Sequence, residues 1–66
     1  MLKVSKETFE NIIATATGIE SDPTEERDLE YSYDIFNSNE DGRQLAFISY
    51  KDGEVAGYYI DESLAQ

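Results

Sequence analysis

The chain of 66 residues contains no cysteine and no histidine. The first absence excludes disulfides, thiolate metal sites and thiol nucleophiles. The second removes the commonest general base, the commonest metal ligand and the usual switch near neutral pH. Ser–His and Cys–His pairs for covalent catalysis cannot be assembled. No apolar run approaches the length of a membrane span or a signal-peptide core, so the sequence reads as that of a cytoplasmic protein. The glycines build no phosphate-cradling loop, and Gly57 stands alone in an apolar stretch.

Positive charge is scarce as well. Lys and Arg total 5 against 15 Asp and Glu, giving a net charge of −10 and a pI near 4.1. So few scattered cations cannot neutralise a phosphate track, which excludes direct binding of nucleic acid. An anionic membrane is repelled for the same reason. A basic protein surface is instead attracted, by a field that also steers encounter.

Apolar residues make up 39% of the chain and aromatics 12%, too many for an acidic disordered tail. One small domain over residues 1–66 is expected, with no second domain, no low-complexity tract and a modest core. With no covalent staple, a domain of this size depends on good local structure or on oligomerisation.

Residues 5 to 17 read as a helix. Ser5 suits the N-cap, and Glu7 lies in the first turn, where a carboxylate favours the positive end of the dipole. Val4 before the cap and Phe9 at the fourth helical position match a hydrophobic staple. Phe9, Ile12, Ile13 and Ala16 form one apolar stripe, and Gly18 suits a left-handed terminus. Residues 20 to 28 are polar. They read either as a short helical turn capped by Asp22, Pro23 and Glu25 or as an acidic linker.

From Leu29 onward the apolar period becomes two. Leu29, Tyr31, Tyr33 and Ile35 alternate with Glu30, Ser32 and Asp34, the pattern of a strand. Residues 44–50 and 55–60 form two further apolar segments. Asp41 with Gly42, and Asp52 with Gly53, fall in the connections, and Asp-Gly signals a two-residue hairpin turn. Such turns set Glu40 opposite Arg43 and Lys51 opposite Glu54. The expected fold class is α+β, with one N-terminal helix packed on a three-stranded antiparallel meander.

Two-residue turns also fix the register. They set Phe36 opposite Phe47 and Phe47 opposite Tyr58, with Leu45 and Ile60 on the same face and Ala56 nearby. The other face then holds Tyr31, Tyr33, Ile35, Ile48, Tyr50, Val55 and Tyr59. One helix covers one face of such a sheet, and the phenylalanine face is expected to take it. The open face, with Tyr31, Tyr33, Tyr50 and Tyr59, suits a homodimer or another protein, because Tyr buries area while keeping a polar tip. A first loop one residue longer or shorter reverses the assignment.

Acidic residues form the second candidate site. Glu20, Asp22, Glu25, Glu26, Asp28, Glu30 and Asp34 share one stretch with Arg27 as its only cation. Glu40, Asp41, Asp52 and Glu54 decorate the turns. Alternate strand residues such as Asp28 and Glu30 stand roughly 6.7 Å apart, on the scale of successive phosphates along a nucleic-acid strand. Such a surface can fill a basic groove that normally holds DNA or RNA. Solubility of a small domain is the plainer use of the same charge.

Asn37, Asn39, Asp41 and Gly42 match the first half of a calcium-binding EF-hand loop, yet the twelfth position is Ile48. A hairpin turn accounts for the same residues, and no metal or cofactor is expected. Carboxylate catalysis needs a cleft that holds two acids with their pKa values pushed apart, for which a small meander has little room. The expected function is that of a non-enzymatic acidic inhibitor that occupies the basic nucleic-acid-binding site of a larger protein. In size and charge alone, the chain is similar to small acidic phage proteins that block CRISPR, restriction or DNA-repair enzymes. That likeness would place it in the host cytoplasm. The alternative is a small homodimeric accessory or immunity-type module, whose acidity serves solubility or one basic partner.

Overall fold

The computed structural model describes residues 1–21, 25–26 and 31–65. A short strand β1 (Leu2–Val4) leads into helix α1 (Lys6–Thr15), then β2 (Ile19–Ser21) and the two-residue β3 (Glu25–Glu26). Three long strands follow, β4 (Tyr31–Ser38), β5 (Gln44–Lys51) and β6 (Glu54–Ile60), and a 3-10 turn at Glu62–Leu64. Every strand pair is antiparallel, in the order β1-β6-β5-β4-β2, with β3 also pairing on β4. The class is α+β as expected, but the sheet has five strands in its path rather than three. The strands missing from the sequence reading, β1, β2 and β3, have three residues or fewer, too few to show an alternation.

The helix starts where its cap predicts. Ser5 Oγ accepts the Thr8 N–H at 3.1 Å, and Val4 and Phe9 share the core as a staple requires. It stops at Thr15, earlier than the sequence suggests, and Gly18 at φ +74° turns the chain into β2. Glu25 and Glu26 pair with Tyr33 and Ser32 of β4, so these two residues are extended rather than helical. Asp22, Pro23, Asp28 and Glu30 lie outside the described residues.

The register departs from the two-turn expectation in an instructive way. The Asp52 and Gly53 turn is as predicted: both residues have positive φ (52° and 82°), and Lys51 pairs with Glu54. The first connection is longer. Ser38 N–H donates to the Arg43 carbonyl at 2.8 Å and Gly42 N–H to the Ser38 carbonyl at 2.9 Å. Glu40 therefore sits within the loop, not opposite Arg43. Further along, Phe36 pairs with Ala46 while Asn37 pairs with Gln44, leaving Leu45 as an extra residue on β5. Ser49 pairs with Gly57 while Tyr50 pairs with Val55, leaving Ala56 extra on β6.

The two hairpins are thus each displaced by one residue, and the displacements cancel across β6. Only β5 is inverted. Tyr58 and Ile60 stay on the face of Phe36, as expected, whereas Phe47 moves to the open face and Ile48 and Tyr50 move to the helix face. Phe47 now stands between Ile35 and Tyr59. Val55, expected on the open face, pairs with Tyr50 and is 47% exposed. Leu45, expected in the helix-side core, is buried at its bulge but lies outside the cluster around Phe9.

Size explains the inversion. Phe9 reaches down from α1 and packs its ring 5.6 Å from that of Phe36 and 5.3 Å from that of Tyr58. Ala46, fully buried, and Ile60 complete that cluster. The methyl group of Ala46 leaves room for the Phe9 ring between its aromatic neighbours. A second phenylalanine on β5 beneath the helix would fill the same space. Phe9→Ala is expected to lower stability by roughly 3–5 kcal/mol, enough to leave much of so small a domain unfolded. Phe47→Ala, on the uncovered face, should cost less than half as much, as read by urea unfolding of the two variants.

Candidate functional site

The face away from α1 carries a row of rings across the three long strands. Tyr33 of β4 meets Phe47 of β5 edge-on at 5.8 Å, and Phe47 stacks on Tyr59 of β6 at 4.7 Å and 17°. Gly57 makes this row possible. A Cβ there would come within 2.9 Å of the Tyr59 ring, which lies along the strand over the glycine. Ile35 is buried on the same face, and with Tyr33, Gln44 and Phe47 it lines an open hollow of about 300 Å³. At one end of the face, Lys51 Nζ lies 5.8 Å from the centroid of the Tyr31 ring. Lys3 of β1 stands beside Tyr59 at the outer edge.

Tyr31, Tyr33 and Tyr59 therefore share the face on which the alternation puts them, and Phe47 joins them. Tyr50 does not. It belongs to the helix side, where its hydroxyl donates to Asp34 Oδ2 at 2.6 Å. That bond to a carboxylate, with burial and the Asp34 charge behind it, pushes the Tyr50 hydroxyl up to about 12. Asp34 is half-buried and engaged in this pair, which sets it apart from the exposed acids.

Of the other candidate carboxylates, those among the described residues lie around the perimeter of the sheet. Glu20 is exposed on β2, and Glu25 and Glu26 form β3 on the same outer edge of β4. Glu40 and Asp41 occupy the β4–β5 loop, with Asp52 and Glu54 at the opposite end, on the β5–β6 turn. Asp41 accepts the Arg43 N–H at 3.0 Å, and this backbone bond holds its carboxyl below the usual range. The loop that resembles half a calcium site thus spends an Asp41 oxygen on its own turn. Among the described residues, no group of three or more acidic side chains converges to hold a metal ion. Among the described residues, no helix is long and apolar enough to cross a membrane.

The sequence reading missed Phe47 and Lys3 as members of the open face. One signal was present: an isolated glycine in a strand marks a bulge or a close approach, and Gly57 has both, next to Ala56 and under Tyr59. Compared with models of protein families, with curated proteins and with solved structures, the chain matches none of them.

The Tyr50–Asp34 pair has a pH signature. The folded-state value of Tyr50 lies above its ordinary 10.0, so its stabilisation is complete below pH 10 and is lost as pH rises through about 12. Thermal melts of the native chain should show an added loss of stability across that window, and Tyr50→Phe should flatten it. An unchanged slope in the variant would show that the pair contributes nothing.

Proposed function

We propose that this chain is a non-enzymatic inhibitor that fills the basic, nucleic-acid-binding site of a larger protein. The observation that carries the reading is the acidic edge beside β4. By register, Glu20 stands opposite Asn37 and Glu25 opposite Tyr33. Four strand positions separate them, roughly 13 Å at the usual rise. Glu26 follows directly, opposite Ser32. Backbone pairing fixes this spacing along the edge, which lowers the backbone ordering needed to meet a groove. To a basic groove, such an edge offers what a nucleic-acid backbone offers: negative charge at fixed intervals. Glu40, Asp41, Asp52 and Glu54 extend the field to both ends of the sheet.

Charge steers such an encounter, and buried aromatics supply most of the affinity at protein interfaces. Tyr33, Phe47 and Tyr59 are the anchors available for that part. The same uncovered row favours a second reading, a homodimeric accessory or immunity-type module with one basic partner. No catalytic role is proposed for any residue.

A tagged chain incubated with host lysate, with and without excess competitor DNA, tests the first reading. A nucleic-acid-binding protein that is captured alone and displaced by DNA is the expected result. Replacing Glu25, Glu26, Asp28 and Glu30 by Gln or Asn should then slow its association and flatten the salt dependence. A partner indifferent to DNA, or to these substitutions, would overturn the proposal.

A further inference from the structure

We infer that the open aromatic face pairs with a second copy of this chain, about a two-fold axis that runs along β5. Three observations converge on that occupant. The first is position. The strand order β1-β6-β5-β4-β2 makes β5 the centre of the sheet, so a two-fold along it lays β1 over the partner's β2 and β6 over the partner's β4. Phe47 then meets its own copy on the axis, and Tyr59 of each chain lies over the Tyr33 and Ile35 region of the other.

The second is charge. Alternation along β1 and β2 puts Lys3 and Glu20 on this face, because Lys3 pairs with Tyr59 and Glu20 with Asn37, whose β5 partner Gln44 lines the aromatic hollow. Both side chains are exposed. The two-fold carries Lys3 of one chain to the edge that holds Glu20 of the other, offset by two residues, ~7 Å along the strand, within reach of two long side chains. Lys51, on β5 like Phe47, faces its own copy across the axis, but it leans away over Tyr31 on β4, and the same operation brings Glu54 from β6 above it. A face with two cations in a chain of net charge −10 thus has a carboxylate ready for each. A two-fold perpendicular to the strands instead sets Lys3 over Lys3 and the acidic edges over each other, which like-charge repulsion disfavours.

The third is area. The chain measures 32 × 24 × 17 Å along its principal axes. A two-fold partner presents the identical patch, so each open face is matched in extent by its copy. Two sheets stacked this way form a sandwich, with strands nearly aligned and rings interdigitating between them. In the dimer Tyr33, Phe47 and Tyr59 serve the pairing rather than a target, and because the pairing is measured on the chain alone, its failure is distinguishable from failure of the proposed inhibition.

Sedimentation equilibrium of the full chain over a concentration series is the test, with circular dichroism confirming the fold of each variant. The native chain is expected to reach twice its 7.5 kDa mass. K3E and E20K should each weaken the dimer by about tenfold or more, and the double swap K3E/E20K should restore it. E20K is the decisive arm. It removes two units of negative charge from each chain, so general repulsion alone predicts a tighter dimer, whereas the local pair predicts a weaker one. A native chain that stays monomeric up to its solubility limit would overturn the inference. So would a dimer that ignores the single swaps or is tightened by E20K.

Discussion

Everything in this molecule depends on the seating of one ring, that of Phe9, over one methyl group, that of Ala46. The helix has a single fully buried side chain with which to grip the sheet. Its grip requires a small residue at the centre of β5 and large ones on either side. Ala46, opposite Phe36 and Ile60 and diagonal to Tyr58, meets that need, but only if β5 shows its even-numbered residues to the helix. The bulges at Leu45 and Ala56 are the means by which the chain achieves this while keeping Tyr58 and Ile60 on the helix side. Packing chose the register, and the turns adjusted to it.

The inversion decides what the protein shows to its surroundings. Had Phe47 faced the helix, the outer face would have carried Ile48 and Tyr50 in the middle of β5. It carries Phe47 instead, stacked on a tyrosine that lies flat because Gly57 has no side chain. The result is a continuous aromatic row at the centre and carboxylates at the rim. Asp34, on the helix side of β4, is held by the Tyr50 hydroxyl. Apolar anchor and acidic border are therefore separated by the sheet itself, centre from edge.

Much of this was legible in the residues, and what was not has a physical reason. Ser5 and Val4 announce the start of α1, because capping and the staple act between near neighbours. Asp52 and Gly53 announce their turn, since few other pairs tolerate two positive φ angles. The alternation in β4 puts Tyr31, Tyr33 and Ile35 on one face without ambiguity. Register is different, being a contest between turn preference and the packing of distant residues. Nothing adjacent to Leu45 reveals that Phe9, far earlier in the chain, needs Ala46 beneath it. The edge strands escape for another reason: three residues of β1 acquire meaning only beside β6. The acidic edge was legible as composition, and only the pairing of β2 and β3 with β4 shows that Glu20, Glu25 and Glu26 share it.

The pairing of β1 with β6 also imposes an order on synthesis. Leu2 and Ile60 stand opposite each other in the finished sheet, yet the ribosome makes Leu2 early and Ile60 more than fifty residues later. Phe9 likewise waits for Tyr58 and Ile60 before its seat is complete. A nascent chain can close the β4–β5 hairpin early, since that pairing is local, but the helix has no finished surface to dock on until β6 emerges. The most acidic stretch of the chain is then already outside the ribosome. Like charges along that stretch repel one another, which works against premature collapse while β6 is still missing.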